Sequence, residues 1–467
     1  MTDWMDRPLR EIAQALREGN LTAEELAELS IARHEKWDGQ LSAYKSWNSD
    51  FAREQATAAD KSFRAGNDLG PLQGVSISVK DLYGVSGLPT FAGTPNRLPQ
   101  QWEQEGPVIK AVRRQLAVIP GKAHTVEFAY GGIGANAHWG TPRNPWDADQ
   151  HRVPGGSSAG AGVSLWEGSA SFAFGTDTGG SVRIPASFTG CVGIKTTKSR
   201  WSTDGIVPLS SSFDTPGIIA KSMDDAVYAF EAVDPKSRHS GVKIEAKDIS
   251  DVVLGVTKGY FWDRCQDDIA EIVENTVSKI SAAGAKTVDT PLPEAEESLK
   301  ILAAGAIVAA EIYAFLEADL PKWIETLEPR VRARIEDGNK VSGTDYVRAC
   351  NQAARLAAQA DATLSTVDVL TVPTIPITPP TVEEVDDLDV YRSKNMPALS
   401  NTMPGNILGL SAVTLPVGLD KAGMPVGLQL ISRSHQEENL LSTALAIDAA
   451  LGPVSERIGS PPLGGSL

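Results

Sequence analysis

Cysteine is scarce: Cys191, Cys265 and Cys350 are the only three in 467 residues. They are too few and too far apart for a disulfide framework, so free thiols in a reducing compartment are expected. Histidine is almost as rare, with six residues and no H-x-x-H or C-x-x-C spacing, so no metal is expected. Basic charge is in deficit. Lys and Arg number 43 against 59 Asp and Glu, a formal net charge of −16 that argues against nucleic acid or an anionic membrane as partner. Long apolar runs are missing too. The stretch 301–310 ends at Glu311, too short for a bilayer, and residues 1–7 lack the apolar core of a signal peptide. These gaps point to a cytoplasmic, acidic, soluble protein, monomer or homodimer, that works on small molecules.

What is present is an α/β pattern. Residues 8–17 and 22–37 carry apolar side chains at helical spacing, and Thr22 with Glu25 fits a capping box. Residues 72–79 suit a buried strand, 108–115 a helix and 116–120 the next strand. From 131 to 217 glycine, serine, threonine and proline dominate around short apolar segments at 171–174 and 191–194, as in loops held against a buried sheet. Beyond these, 251–256, 367–372, 413–417 and 426–431 read as strands, 267–283 as a long helix and 295–365 as largely helical. Helices alternating with short apolar strands imply layers around a mixed or parallel sheet, and no repeat or linker divides the chain.

Two serines stand in glycine-rich loops. Ser157 lies in Pro154-Gly155-Gly156-Ser157-Ser158-Ala159-Gly160 and Ser181 in Gly175-Thr176-Asp177-Thr178-Gly179-Gly180-Ser181, while Lys80 closes the apolar run 75–79. A hydroxyl is a weak nucleophile at neutral pH and needs a base within hydrogen-bond reach. A neutral lysine can be that base, and a second serine can carry the proton. Burial disfavours the ammonium form, which would leave Lys80 neutral, and in a strand Asp81 points to the opposite face from it. Lys122, after 116–120, fits the same pattern.

Gly179 and Gly180 allow the amides of Thr178 to Ser181 to converge on one point, as an oxyanion hole or as a structural turn. Asp177 and Arg183 read as a charge pair bracing that loop. Thr176 either orients a serine or closes a turn. A rival reading takes Gly156-Ser157-Ser158-Ala159-Gly160 as a G-x-S-x-G nucleophile elbow on Ser158. That elbow needs a preceding strand, whereas 150–154 is polar and ends in proline, and only His239 and His435 follow it.

These segments resemble the amidase signature family. The likeness lies in 74–81 around Lys80, in 154–160 and in Gly175 to Pro185, and continues through 121–128, 141–146, 190–195, 416–418 and 424–431. It covers essentially the whole chain, in outline only over 235–365, and departs at Ala159, where the family usually has glycine. The resemblance implies a single domain over 1–467, with a central mixed twisted β-sheet flanked by helices on both faces. N-terminal helices would reach about 70, a catalytic core would span about 71–235, a variable helical substrate region about 260–365, and the core would return over about 366–455. It further implies a Ser–cisSer–Lys triad without cofactor. Ser181 would be the nucleophile, Ser157 after a cis peptide the shuttle, and Lys80 the base. The amides of Thr178, Gly179, Gly180 and Ser181 would form the oxyanion hole, with Thr176, Asp177 and Arg183 in support.

Relatives in that family cleave aliphatic, aryl and fatty amides, ureides and carbamates, urethanes among them. The pocket is expected from 301–316, Trp323 and the loop 130–134, with Tyr130, Gly131 and Gly132 as substrate contacts. An apolar pocket favours aryl or alkyl amides or carbamates over carboxylate-bearing substrates, which need an arginine clamp. The alternatives are the glutaminase (A-type) subunit of a tRNA-dependent amidotransferase, a ureide or small aliphatic amide hydrolase, and a binding protein on an inactive scaffold.

Overall fold

The computed structural model describes residues 4–241, 243–303 and 306–465. Residues 304–305 of the expected pocket segment, and the start of the segment read for a signal sequence, lie outside the described residues. Eleven strands form one sheet: β1 Tyr44–Trp47, β2 Ser78–Lys80, β3 Gly121–Ala123, β4 Phe172–Asp177, β5 Val192–Lys195, β6 Thr215–Ala220, β7 Val253–Val256, β8 Lys286–Asp289, β9 Val369–Pro373, β10 Ser411–Leu419 and β11 Pro425–Ser432. Their order is β1-β3-β2-β4-β6-β5-β10-β11-β9-β7-β8. The sheet is mixed: β2 runs parallel to β3 and β4, and β7 to β8 and β9, while β10 is antiparallel to β5 and β11.

Alternation along the central strands buries both faces. Val369, Val413 and Leu430 enter the larger core, against Ile269 and Val273 of helix Asp267–Ala282 and Leu440 and Leu441 of helix Glu437–Leu451. Their neighbours Leu370, Ala412 and Ile431 enter a second core on the other face, against Ala353 and Leu356 of helix Gly343–Thr363. Two faces covered in this way leave a doubly packed α/β domain.

Local signals account for the first helices. Ala23–Leu41 begins in a capping box in which Thr22 and Glu25 satisfy each other's amides, and Leu9–Glu18 ends on Gly19 at φ +72. No helix among the described residues is long and apolar enough to cross a membrane.

Candidate active site

The parallel register of β2 on β4 pairs Val79 with Phe174, which brings Lys80 level with Gly175 and next to Thr176. Lys80 is fully buried, and its Nζ stands 2.7 Å from Ser157 Oγ and 2.8 Å from Thr176 Oγ1. Burial pulls its pKa down to about 7, against the opposing charges of Asp214 and Asp177. Lys122 is also buried but bonds Asp81 Oδ1 and Thr90 Oγ1, each at 3.1 Å, so an ion pair occupies it. Of the two lysines, Lys80 alone meets a serine.

Ser157 follows a cis Gly156–Ser157 peptide. Ser158, the elbow candidate, donates its hydroxyl to the Ser181 carbonyl at 2.5 Å and is buried as a strut beneath the loop. Ser181 lines a cavity of about 270 Å³. Among the described residues its hydroxyl makes no hydrogen bond and is left toward that space.

The loop from Asp177 to Ser181 is held from below. Asp177 accepts bonds from Arg183 Nε at 3.0 Å and Arg183 Nη2 at 2.9 Å, and Arg183 Nη1 reaches Thr402 O and Gln429 Oε1, both at 2.7 Å. Burial would raise the Asp177 carboxyl, yet Arg183, Lys195 and Asn406 hold it well below the usual carboxylate range. The pair ties the loop to helix Arg183–Phe188. Gly180 needs to be glycine: its φ is +135°, and a Cβ there would stand 2.1 Å from Thr402 Oγ1. Its N–H, expected in the oxyanion hole, is donated instead to Asp177 Oδ1 at 2.7 Å. Among the described residues the N–H groups of Thr178, Gly179 and Ser181 make no internal bond. Thr178 Oγ1 donates to buried Asp214 at 2.5 Å, and Asp214 also accepts from the amides of Leu209 and Ser210.

Tyr130 and Gly131 line the cavity. Gly132 does not: its amide is donated to Asn395 Oδ1 and its carbonyl accepts the Gly156 amide, so it ties loops together. From the 301–316 segment Val308 and Ala309 reach the cavity, and Ile301 and Ile307 a small apolar annex beside it. Ile312 and Leu316 belong to the core, and Trp323 packs against its edge. Sequence reasoning missed Leu209, Met396, Leu399 and Met403, which complete the apolar wall, and Arg334. The Arg334 guanidinium lies 4.3 Å over the Tyr130 ring and bonds Tyr130 O, and among the described residues it forms no ion pair. Asp337, the other charged residue on the wall, pairs with Lys340.

A lysine whose charged form burial disfavours, bonded to a serine behind a glycine loop that opens on an apolar cavity, is equipped for acyl transfer without histidine. The amidase family model matches residues 25–441. The 2-amino-5-chloromuconic acid deaminase of Comamonas testosteroni is 46% identical, over 97% of this chain and 98% of its own length. The A-type subunit of the glutamyl-tRNA(Gln) amidotransferase of Moorella thermoacetica is 32% identical, over 94% and 95%. A crystal structure of an amidase superposes with a TM-score of 0.86 at 29% identity, covering 96% of this chain and all of that one. The fold and these relatives define a hydrolase acting on non-peptide C–N bonds. Within that class, the chain belongs to the amidase family.

Proposed function

We propose that the protein hydrolyses a C–N bond of a small amide or carbamate through a covalent intermediate on Ser181. The observation that carries this reading is the buried 2.7 Å contact of Lys80 Nζ with Ser157 Oγ behind a serine that opens on a cavity. Neutral Lys80 takes the Ser157 proton as Ser157 takes that of Ser181, and Ser181 Oγ bonds to the carbonyl carbon. The oxyanion meets the uncommitted amides of Thr178, Gly179 and Ser181. The proton then returns through Ser157 to the departing nitrogen, and the C–N bond breaks. Water attacks the Ser181 ester, its proton passes back along the relay to Ser181 Oγ, and the acid leaves. The apolar wall of Val308, Met396, Leu399 and Met403 suits an aryl or alkyl body.

Arg334 and the deaminase relative favour a second, narrower reading. Muconic acid is a dicarboxylic acid, and the Arg334 guanidinium, which forms no ion pair among the described residues and bonds Arg330 O and Tyr130 O through Nε and Nη2, leaves Nη1 on the cavity wall to meet a carboxylate. In the imine tautomer of a 2-amino-enoic acid, water adds to the C=N carbon and ammonia leaves, giving the 2-oxo acid. The glutaminase reading rests on the weaker likeness of 32%.

Ser181→Ala and Lys80→Ala should each lower turnover by about 10⁴-fold or more with the circular dichroism spectrum unchanged, and Ser157→Ala should cause a large but incomplete loss. Full activity in either of the first two variants would sink the relay. Anilide, carbamate, glutamine and 2-amino-5-chloromuconate, assayed side by side with fluorophosphonate labelling of Ser181, separate the substrate readings.

A further inference from the structure

Two walls of the cavity come from segments far apart in the chain. One is the turn Glu127–Ala129 with Tyr130 and Gly131; the other is helix Pro329–Glu336, which carries Arg334. Phe128 and Ala129 adopt φ of +45° and +58°, in the left-handed region that side chains rarely enter. Such conformations persist only where neighbours enforce them, and they concentrate at functional sites. The neighbours here are specific. Arg334 bonds the Tyr130 carbonyl at one end of the helix. At the other, Glu127 Oε2 accepts the amide of Glu328, the residue that caps the same helix, at 2.9 Å. Glu127 Oε1 lies 2.9 Å from His138 Nε2, and His138 is itself presented by a turn in which its amide is donated to Asn136 Oδ1.

We infer that Glu127 is a positioning residue for substrate: its buried carboxyl, bonded to His138 on one oxygen and to the cap of the Arg334 helix on the other, sets the spacing of the two cavity walls. The group touches no substrate and acts through Tyr130 and Arg334. The titratable and charged groups that face it are His138, from the loop after it, and Glu328, from the helix; Arg330 is occupied by Glu328. Burial pushes the Glu127 carboxyl up to about 8, the Glu328 amide opposing and the Glu328 charge reinforcing. Burial also lowers the His138 pKa. At neutral pH the pair is thus an uncharged O–H···N bond beside an N–H···O=C bond, both satisfied without a buried charge.

The sign follows from these protonation states. As pH rises through about 8, Glu127 ionises, its bond to His138 survives only if the ring turns its N–H to Nε2, and a carboxylate is left facing Glu328. The wall loosens, so KM rises and kcat/KM falls on the alkaline side. The limb set by Lys80 lies on the acid side and is separate.

Glu127→Gln keeps both bonds, with Nε2 donating to His138 and Oε1 accepting the Glu328 amide, but cannot ionise. It should retain wild-type KM at neutral pH and lose the alkaline limb while keeping the acid one. Glu127→Ala should raise KM about 5- to 30-fold with kcat little changed. An unaltered alkaline limb in Glu127→Gln, or a fall in kcat and thermal stability without a change of KM in Glu127→Ala, would overturn the inference. It rests on the cavity beside Ser181 being the substrate site; turnover surviving in Ser181→Ala would refute that reading, whatever the Glu127 variants do.

Discussion

At Lys80, the chemistry and the electrostatics meet in one side chain. Nζ is confined between Ser157 and Thr176 with no carboxylate bonded to it among the described residues, and burial brings its pKa to about 7. In its neutral form the amine can accept from one hydroxyl and donate to the other; once protonated it can only donate. In the proposed relay, kcat for an uncharged amide should therefore rise as pH climbs through about 7 and level off above it, since the base works only after losing its proton, while kcat/KM falls again as Glu127 ionises near 8. Thr176→Val removes one of the two hydroxyl partners and should lower kcat about tenfold with little effect on KM. A pH–rate profile with no acid limb near 7, or a valine variant with full kcat, would refute this account. The choice of Lys80 over Lys122 could not be made from spacing: both end short apolar segments. The family resemblance favours Lys80, and the Lys122–Asp81 pair supplies a physical reason that spacing does not.

Among the elements, the loop between β4 and Ser181 was the most legible, because its requirements are local. Backbone amides that must converge need small residues in sequence, and Gly179-Gly180-Ser181 announces them. What the sequence could not tell was which amides stay free. Gly180 donates to Asp177, a consequence of Arg183, from the helix that follows the loop, and Asn406, from helix Met403–Ile407 far along the chain, drawing that carboxylate beneath the loop. Gly180→Ala should abolish labelling of Ser181 and cost about 1–3 kcal/mol of stability, because the new methyl would meet Thr402 Oγ1 at a φ that disfavours it. Urea denaturation and fluorophosphonate labelling together check this; a variant with unchanged stability and labelling would contradict it. Strands were less legible than loops. The apolar run 72–79 is buried as expected, but Gly74 at φ +78 breaks it, so that only Ser78–Lys80 pairs as a strand, with a single bridge from Ser76 to Val118. β8 gave no signal because all four of its residues are exposed at the sheet edge, leaving no alternation to read.

Across the whole molecule, the proposed catalytic end and the proposed specificity end differ in how they are encoded. The former uses contiguous motifs; the latter uses single residues such as Arg334 and Met403, whose arrival at the cavity depends on how distant helices pack. Arg334 sits among five other charged residues in 328–337, and nothing in that spacing separates a wall residue from a solvated one. Its setting, however, has a measurable consequence. The chain carries a net charge of −16, and an anionic substrate bound for one guanidinium must first approach a molecule of its own sign. Screening shortens the reach of that repulsion from about 30 Å at 0.01 M salt to about 8 Å at 0.15 M, while contact between a partly buried guanidinium and a carboxylate is screened much less. If the substrate carries carboxylates, kcat/KM should rise over that range of salt, and an uncharged anilide should show no such rise. Arg334→Ala should lower kcat/KM for the anion about 10- to 100-fold, yet leave its upward salt slope, since the slope belongs to the whole molecule and the affinity to one side chain. Equal salt slopes for the charged and uncharged substrates would rule out long-range repulsion as a determinant of substrate choice.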